Sequence, residues 1–151
     1  MIFNRTQADI DRAIDIRANK VQKNIELSKS DIAQLERGFL TINTLNRIEE
    51  KQQELKNLFN SDAYLVEDFE NKVWTYTDYF KQADFDRILN NLKKLKKAYF
   101  VYSTTPLVSD DNYRRYQTIN AVEHILHDLD VMLSDVKSHY KQCGDTECGG
   151  E

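Results

Sequence analysis

The stretch INAVEHILHDLDVMLSDVKSHY, residues 119–140, decides the fold. Ile119, Val122, Leu126, Leu129, Leu133, Val136 and Tyr140 recur at alternating steps of three and four. An α-helix turns once in about 3.6 residues, so this spacing gathers the apolar side chains into one stripe. A strand would need alternation at every second residue. The pattern holds over three heptads, the spacing that helices use to pack on one another. Cys143-Gly144 closes the run. The predicted helix is then about 30 residues long, roughly 45 Å at 1.5 Å per residue.

The same period recurs upstream. Phe85, Ile88, Leu92, Leu95 and Tyr99 form one stripe, from about Ala83 onward. Leu45, Ile48, Gln52, Leu55 and Phe59 form another. Gln52 is its single polar member, read as tuning a partner seam or as lying at the stripe's edge. Thr41 to Thr44 is a polar turn rich in capping residues. Between these helices, Asn60 to Tyr79 breaks the period. Tyr64, Val66, Phe69, Val73, Trp74 and Tyr76 are aromatic or β-branched there, which permits a small irregular insert or a short β-hairpin. Trp74 is read as the pin that holds this loop on the core. The sharper alternative makes Trp74 and Tyr76 an exposed aromatic contact surface.

Near the N-terminus, Thr6-Gln7-Ala8-Asp9 reads as a helix start, with Thr6 accepting from the Asp9 N–H. Ile10, Ala13, Ile14, Val21 and Ile25 then predict one apolar stripe on a helix running to about Leu27. Ser30-Asp31 opens a shorter helix with Ile32, Leu35 and Phe39 inward, ended or bent by Gly38. Val101 to Asp111 is a connection, because Pro106 disfavours helix at Thr105. The expected fold is therefore all-α. It is an antiparallel bundle of about four long helices plus a short helix, with the insert near residues 60–79. One domain spans 1–142, and 143–151 is a short polar tail.

Composition agrees. The chain has 151 residues, only 4 Gly and 1 Pro, so backbone breakers are scarce. Hydrophobic residues make up 40% and charged residues 30%, the balance of a globular chain. The net charge is -4 with signs mixed throughout, which offers no basic field to a nucleic acid. The cluster Lys93, Lys94, Lys96 and Lys97 reads as the wet face of a helix. No segment resembles a signal peptide or a membrane span, so neither membrane nor secretion is expected, and both cysteines are expected as thiols.

Few residues argue for chemistry. His124 and His127 share a helix face, and Glu123 and His127 are four apart. Neither pair has the two-histidine spacing of a zinc protease helix, and both histidines are read as exposed or interfacial. His139, Cys143 and Cys148 offer three zinc ligands, with a fourth to come from elsewhere. The alternative is two free thiols, since paired Cys-x-x-Cys knuckles are missing. No acid stands apart in an apolar pocket, and no phosphate loop or nucleophile elbow occurs. The expectation is a non-enzymatic protein without catalytic residues or cofactor.

The last stripe is longer than its neighbours. Leu129, Met132, Leu133, Val136 and Tyr140 are therefore expected either at a partner surface, giving a homo-oligomer, or beneath the N-terminal helix.

Five short motifs occur in order: Asn4-Arg5-Thr6 with Asp9; Thr44-Leu45-Asn46-Arg47-Ile48-Glu49; Trp74-Thr75-Tyr76-Thr77-Asp78; Arg87-Ile88-Leu89-Asn90-Asn91-Leu92; and Asn120-Ala121-Val122-Glu123-His124-Ile125-Leu126. Together they resemble small helical proteins and domains of the tail and minor structural modules of phages and prophages of Firmicutes. Those carry an NRT-x-x-D opening, a D-L-N-R-V-E helix start and an N-x-I-E-x-I-L late helix. Here Thr44 replaces the Asp and Ile48 the Val. The resemblance implies a virion protein of the tail or baseplate, present in the host cytoplasm during assembly and touching other virion proteins. It implies no catalytic residues. The alternative function is a small phage-encoded regulator or inhibitor that binds a host protein. Physically the motifs read as structural. Thr44 caps a helix, Arg47 reaches a neighbouring carboxylate, and Asn91 and Asn120 bond an adjacent loop or helix.

Overall fold

The computed structural model describes residues 1–99, 103–108 and 115–144, with side chains to residue 138. Five α-helices follow in order: α1 Gln7–Ile16, α2 Lys29–Gly38, α3 Ile42–Ser61, α4 Gln82–Ala98 and α5 Tyr116–Gly144. A π-helical turn, Arg17–Val21, prolongs α1. No strand occurs among the described residues, so the fold is the all-α bundle.

The core lies among α3, α4 and α5, which pack on one another. Leu45, Ile48, Leu55 and Phe59 of α3 meet Phe85, Ile88, Leu92 and Leu95 of α4. Ile119, Val122, Leu126, Leu129 and Leu133 of α5 close it. These are the periodic stripes, and each such side chain contributes about 1.5–3 kcal/mol on burial.

The first two helices form a separate antiparallel hairpin, packed on each other. Each begins with a capping box: Thr6 with Asp9 in α1, and Ser28 with Asp31 in α2. The first helix is shorter than expected. Its π turn ends at Val21, and Asn24 takes a left-handed φ of 53°. Asn tolerates that conformation and stops the helix there. The N-terminal stripe is not buried as expected. Ala13 is enclosed, while Ile14, Val21, Ile25 and Ile32 stand 42–51% exposed.

Other boundaries shift by a turn. Ser28, not Ser30, caps α2. Thr41, not Thr44, caps α3, and Thr44 is enclosed beside it. Gln52 is neither at an edge nor at a seam. It is wholly buried and donates to the Ile88 carbonyl at 2.8 Å. The insert between α3 and α4 is irregular, with no hairpin pairing.

Candidate interaction surfaces

Two glutamates, both enclosed in the bundle, organise the polar interior. Glu123 of α5 accepts from Arg5 and from Arg47, the latter at 2.7 Å, and also from the Ile2 N–H at 3.3 Å. Asn120 adds a reciprocal pair with the Arg5 backbone, donating to its carbonyl at 3.0 Å and accepting from its N–H at 3.3 Å. The N-terminal segment is thereby strapped across α5. Phe3 lies flat against both His124 and His127, at centroid distances of 4.8 and 4.9 Å.

Glu49 of α3 is the second centre. It accepts from Arg87 at 2.9 Å and from the Trp74 indole N–H at 3.3 Å. Its own hydrogen bond to Glu49 raises the pKa of the Arg87 guanidinium above the usual value. Buried carboxylates need such partners, because an unpaired charge in a core costs several kcal/mol, about 3–5 when one partner is removed.

The same interior fixes the insert. Asn46 donates to the Trp74 carbonyl at 3.1 Å and accepts from its N–H at 2.7 Å, as a neighbouring strand would. Asn91 donates to the Glu70 carbonyl at 2.9 Å, and Asn71 donates to the Glu49 carbonyl at 3.0 Å. Lys56 pairs with Asp68, and Lys97 with Glu67. Lys94 donates to the Asp68 carbonyl, so part of the lysine cluster clasps the insert instead of facing water freely.

Trp74 is 3% exposed and stacks edge-on with Phe80, so it is the pin and not a contact residue. Tyr76, two residues on, is 93% exposed. Its turn is closed by Asp78, which accepts from the Thr75 N–H at 2.8 Å and pairs with Lys72 at 3.0 Å. The Thr75 N–H, and then Lys72, hold the Asp78 carboxyl at about 2, well below the usual range. Leu65, Val73 and Tyr79 are also strongly exposed on this insert. Large apolar groups are thus displayed on a backbone that the bundle holds still.

The surface expected on α5 needs correction. Leu129 and Leu133 are at most 2% exposed and belong to the chain's own core, where α3 and α4 cover them. The N-terminal helix does not lie over them. Met132 and Val136 are half-buried, and the side chain of Tyr140 lies outside the described residues. So do those of His139, Cys143 and Cys148. Among the described residues no three metal-ligating side chains converge.

Among the described residues, two grooves open to solvent. One, of about 260 Å³, is lined by Met1, Arg47, Glu50, Lys51, His127 and Asp130, with charges of both signs. The other, of about 170 Å³, runs over Leu89, Leu92 and Ile125 between Lys96 and Val108. Both fall below the roughly 300–1,000 Å³ usual for small-molecule sites. No helix of the described residues is long and apolar enough to cross a membrane.

Sequence reading missed Glu49 and Glu123 as buried centres. The chain matches no family model, no curated protein and no solved structure.

Proposed function

We propose that this chain is a non-enzymatic structural protein of a phage virion, in the tail or baseplate, working through protein–protein contacts. The display of Leu65, Val73, Tyr76 and Tyr79 on a clamped insert carries the reading. Exposed aromatic groups on a rigid backbone bind at low conformational cost, and Tyr is enriched where interfaces concentrate their energy. The likeness of the five motifs to Firmicutes phage tail and minor structural proteins supplies the setting. The motif residues Arg5, Asn46, Arg47, Glu49, Arg87, Asn91, Asn120 and Glu123 serve to hold elements together, which suits a scaffold.

The test is mass spectrometry of purified particles from a phage that encodes the chain. The chain is expected among the virion proteins, and particles without it overturn the reading. A small regulator or inhibitor would instead be recovered on a host protein before assembly and be missing from the particle.

A further inference from the structure

We infer that the site holding residues 2–5 is a peptide-binding site occupied in cis, and that its partner is an extended segment of another protein carrying an aromatic residue two places before an arginine. The present occupant, Ile2-Phe3-Asn4-Arg5, has neither helix nor strand and is held as a peptide ligand would be. Arg5 is the buried anchor, and its guanidinium meets the Glu123 carboxylate. Asn120 reads the backbone at that anchor, accepting from the Arg5 N–H at 3.3 Å and donating to its carbonyl at 3.0 Å. Phe3, half-buried, adds a second contact by stacking on His124 and His127. An enclosed arginine with an aromatic ring close by is the composition in which interfaces concentrate their binding energy.

Three features let this occupant leave without unfolding the chain. The first is that Glu123 is shared. Arg47 donates to it through Nε at 3.1 Å and Nη2 at 2.7 Å, so the buried carboxylate keeps a cation when Arg5 departs. The second is that the α1–α2 hairpin, which follows the segment, carries its own ion pairs and packs only sparsely on α3–α5. The third is the groove of about 260 Å³ beside the segment, which Met1, Arg47 and His127 help to line. Arg47 borders both that groove and Glu123, so a competitor has an open approach to the anchor position. The cis fit is also incomplete, because the enclosed Arg5 Nη2 finds no acceptor among the described residues.

The same residues choose the partner. Glu123 is fully enclosed, which excludes an acidic anchor and disfavours lysine, whose ammonium is more strongly hydrated than a guanidinium. Asn120 bonds both backbone groups of the anchor residue, which demands an extended chain there. The two imidazoles demand a flat ring. A segment tethered in cis competes from an effective concentration of about millimolar. The site is therefore closed to weak peptides and opens to a partner that binds better or through a further contact. It lies apart from the exposed insert and does not rest on the virion reading.

The test is fluorescence anisotropy of a labelled peptide with the sequence of residues 1–6, titrated with the full chain and with its Arg5→Ala variant. Arg5→Ala empties the anchor position and leaves Glu123 on Arg47. The variant is expected to keep its helicity and to bind the peptide at least about tenfold more tightly than the unsubstituted chain, since its cis competitor is weakened. Peptides carrying Phe3→Ala or Arg5→Ala should bind about tenfold more weakly or worse. Asn120→Ala, added to the Arg5→Ala chain, should weaken binding as well. Three results overturn the inference. One is no saturable binding to either chain up to about 1 mM. Another is binding indifferent to these substitutions. The third is unfolding of the Arg5→Ala chain, because release requires that Arg47 hold Glu123 alone. Absence of the chain from particles would leave peptide binding in solution untouched.

Discussion

Asp9, in the first turn of α1, pairs with Arg37, in the last turn of α2, at 2.8 Å. Asp31, in the first turn of α2, pairs with Lys20, at the end of the π turn, at 2.6 Å. Each aspartate also closes the capping box of its own helix. One carboxylate thus satisfies its helix start and ties that start to the opposite helix end, where a cation also suits the helix dipole.

Acid is therefore expected to open the hairpin before the bundle. The Thr6 N–H, ahead of Arg37, holds the Asp9 carboxyl at about 2 against an ordinary 3.8. Lys20 and then Ser28 hold Asp31 at about 2 as well. A carboxyl depressed by folding stabilises the fold above its ordinary value and loses that contribution as pH falls through its folded value. Amide exchange should show α1 and α2 losing protection between about pH 4 and pH 2, ahead of α3–α5. Simultaneous loss across all five helices would refute the ordering.

Gly38→Ala should destabilise the hairpin. In an open helix the change helps by about 0.5–1 kcal/mol. Here a Cβ would stand 2.3 Å from that of Ala13 and 2.6 Å from the Asp9 carbonyl oxygen. Overpacking of this kind costs about 1–3 kcal/mol. The check is the exchange rate of α1 and α2 amides, and slower exchange in the variant would contradict the close approach.

Much of the fold is legible in the sequence, and the reason differs between elements. The stripes of α3, of α4 and of α5 from Ile119 to Leu133 read correctly because each buries one face, so burial repeats with the helical period. The N-terminal stripe misleads. Ile14, Val21 and Ile25 have the right spacing, but periodicity states only that a face is apolar, not that the same chain covers it. Asn24 held a signal for the early stop, as a residue at ease in left-handed backbone. Trp74 could be weighed as a pin because it is the chain's only indole and lies in the segment that breaks the helical period between two apolar stripes. Glu123 could not be found. A buried glutamate and an exposed one look alike in sequence, and Arg5, which neutralises it, lies 118 residues away.

Glu123→Ala should be among the costliest single changes. It leaves Arg5 and Arg47 without the carboxylate they share, and Arg5 is itself enclosed. The expected loss is about 3–5 kcal/mol by urea denaturation. Replacing exposed Glu54 by Ala, which breaks only the surface pair with Lys51, should cost under about 1 kcal/mol. Equal effects would mean that Glu123 is not the anchor of the N-terminal strap.

Trp74 and Tyr76 separate support from display, although only one residue lies between them. Trp74 is enclosed, bonded through its indole to Glu49 and held at both backbone groups by Asn46. Trp74→Ala should cost about 3–5 kcal/mol and loosen residues 62–81, because it leaves a cavity and removes a partner of a buried carboxylate. Tyr76 touches nothing comparable and is 93% exposed. Tyr76→Ala should change stability by no more than about 0.5 kcal/mol. If the insert is the contact surface, the same change should reduce recovery of the chain in purified particles while its fold and melting temperature stay as they were. Tyr76→Phe, which keeps the ring and loses the hydroxyl, then distinguishes apolar burial from hydrogen bonding at that contact. Full incorporation of a doubly substituted Tyr76→Ala, Tyr79→Ala chain would remove the insert tip from the virion contacts.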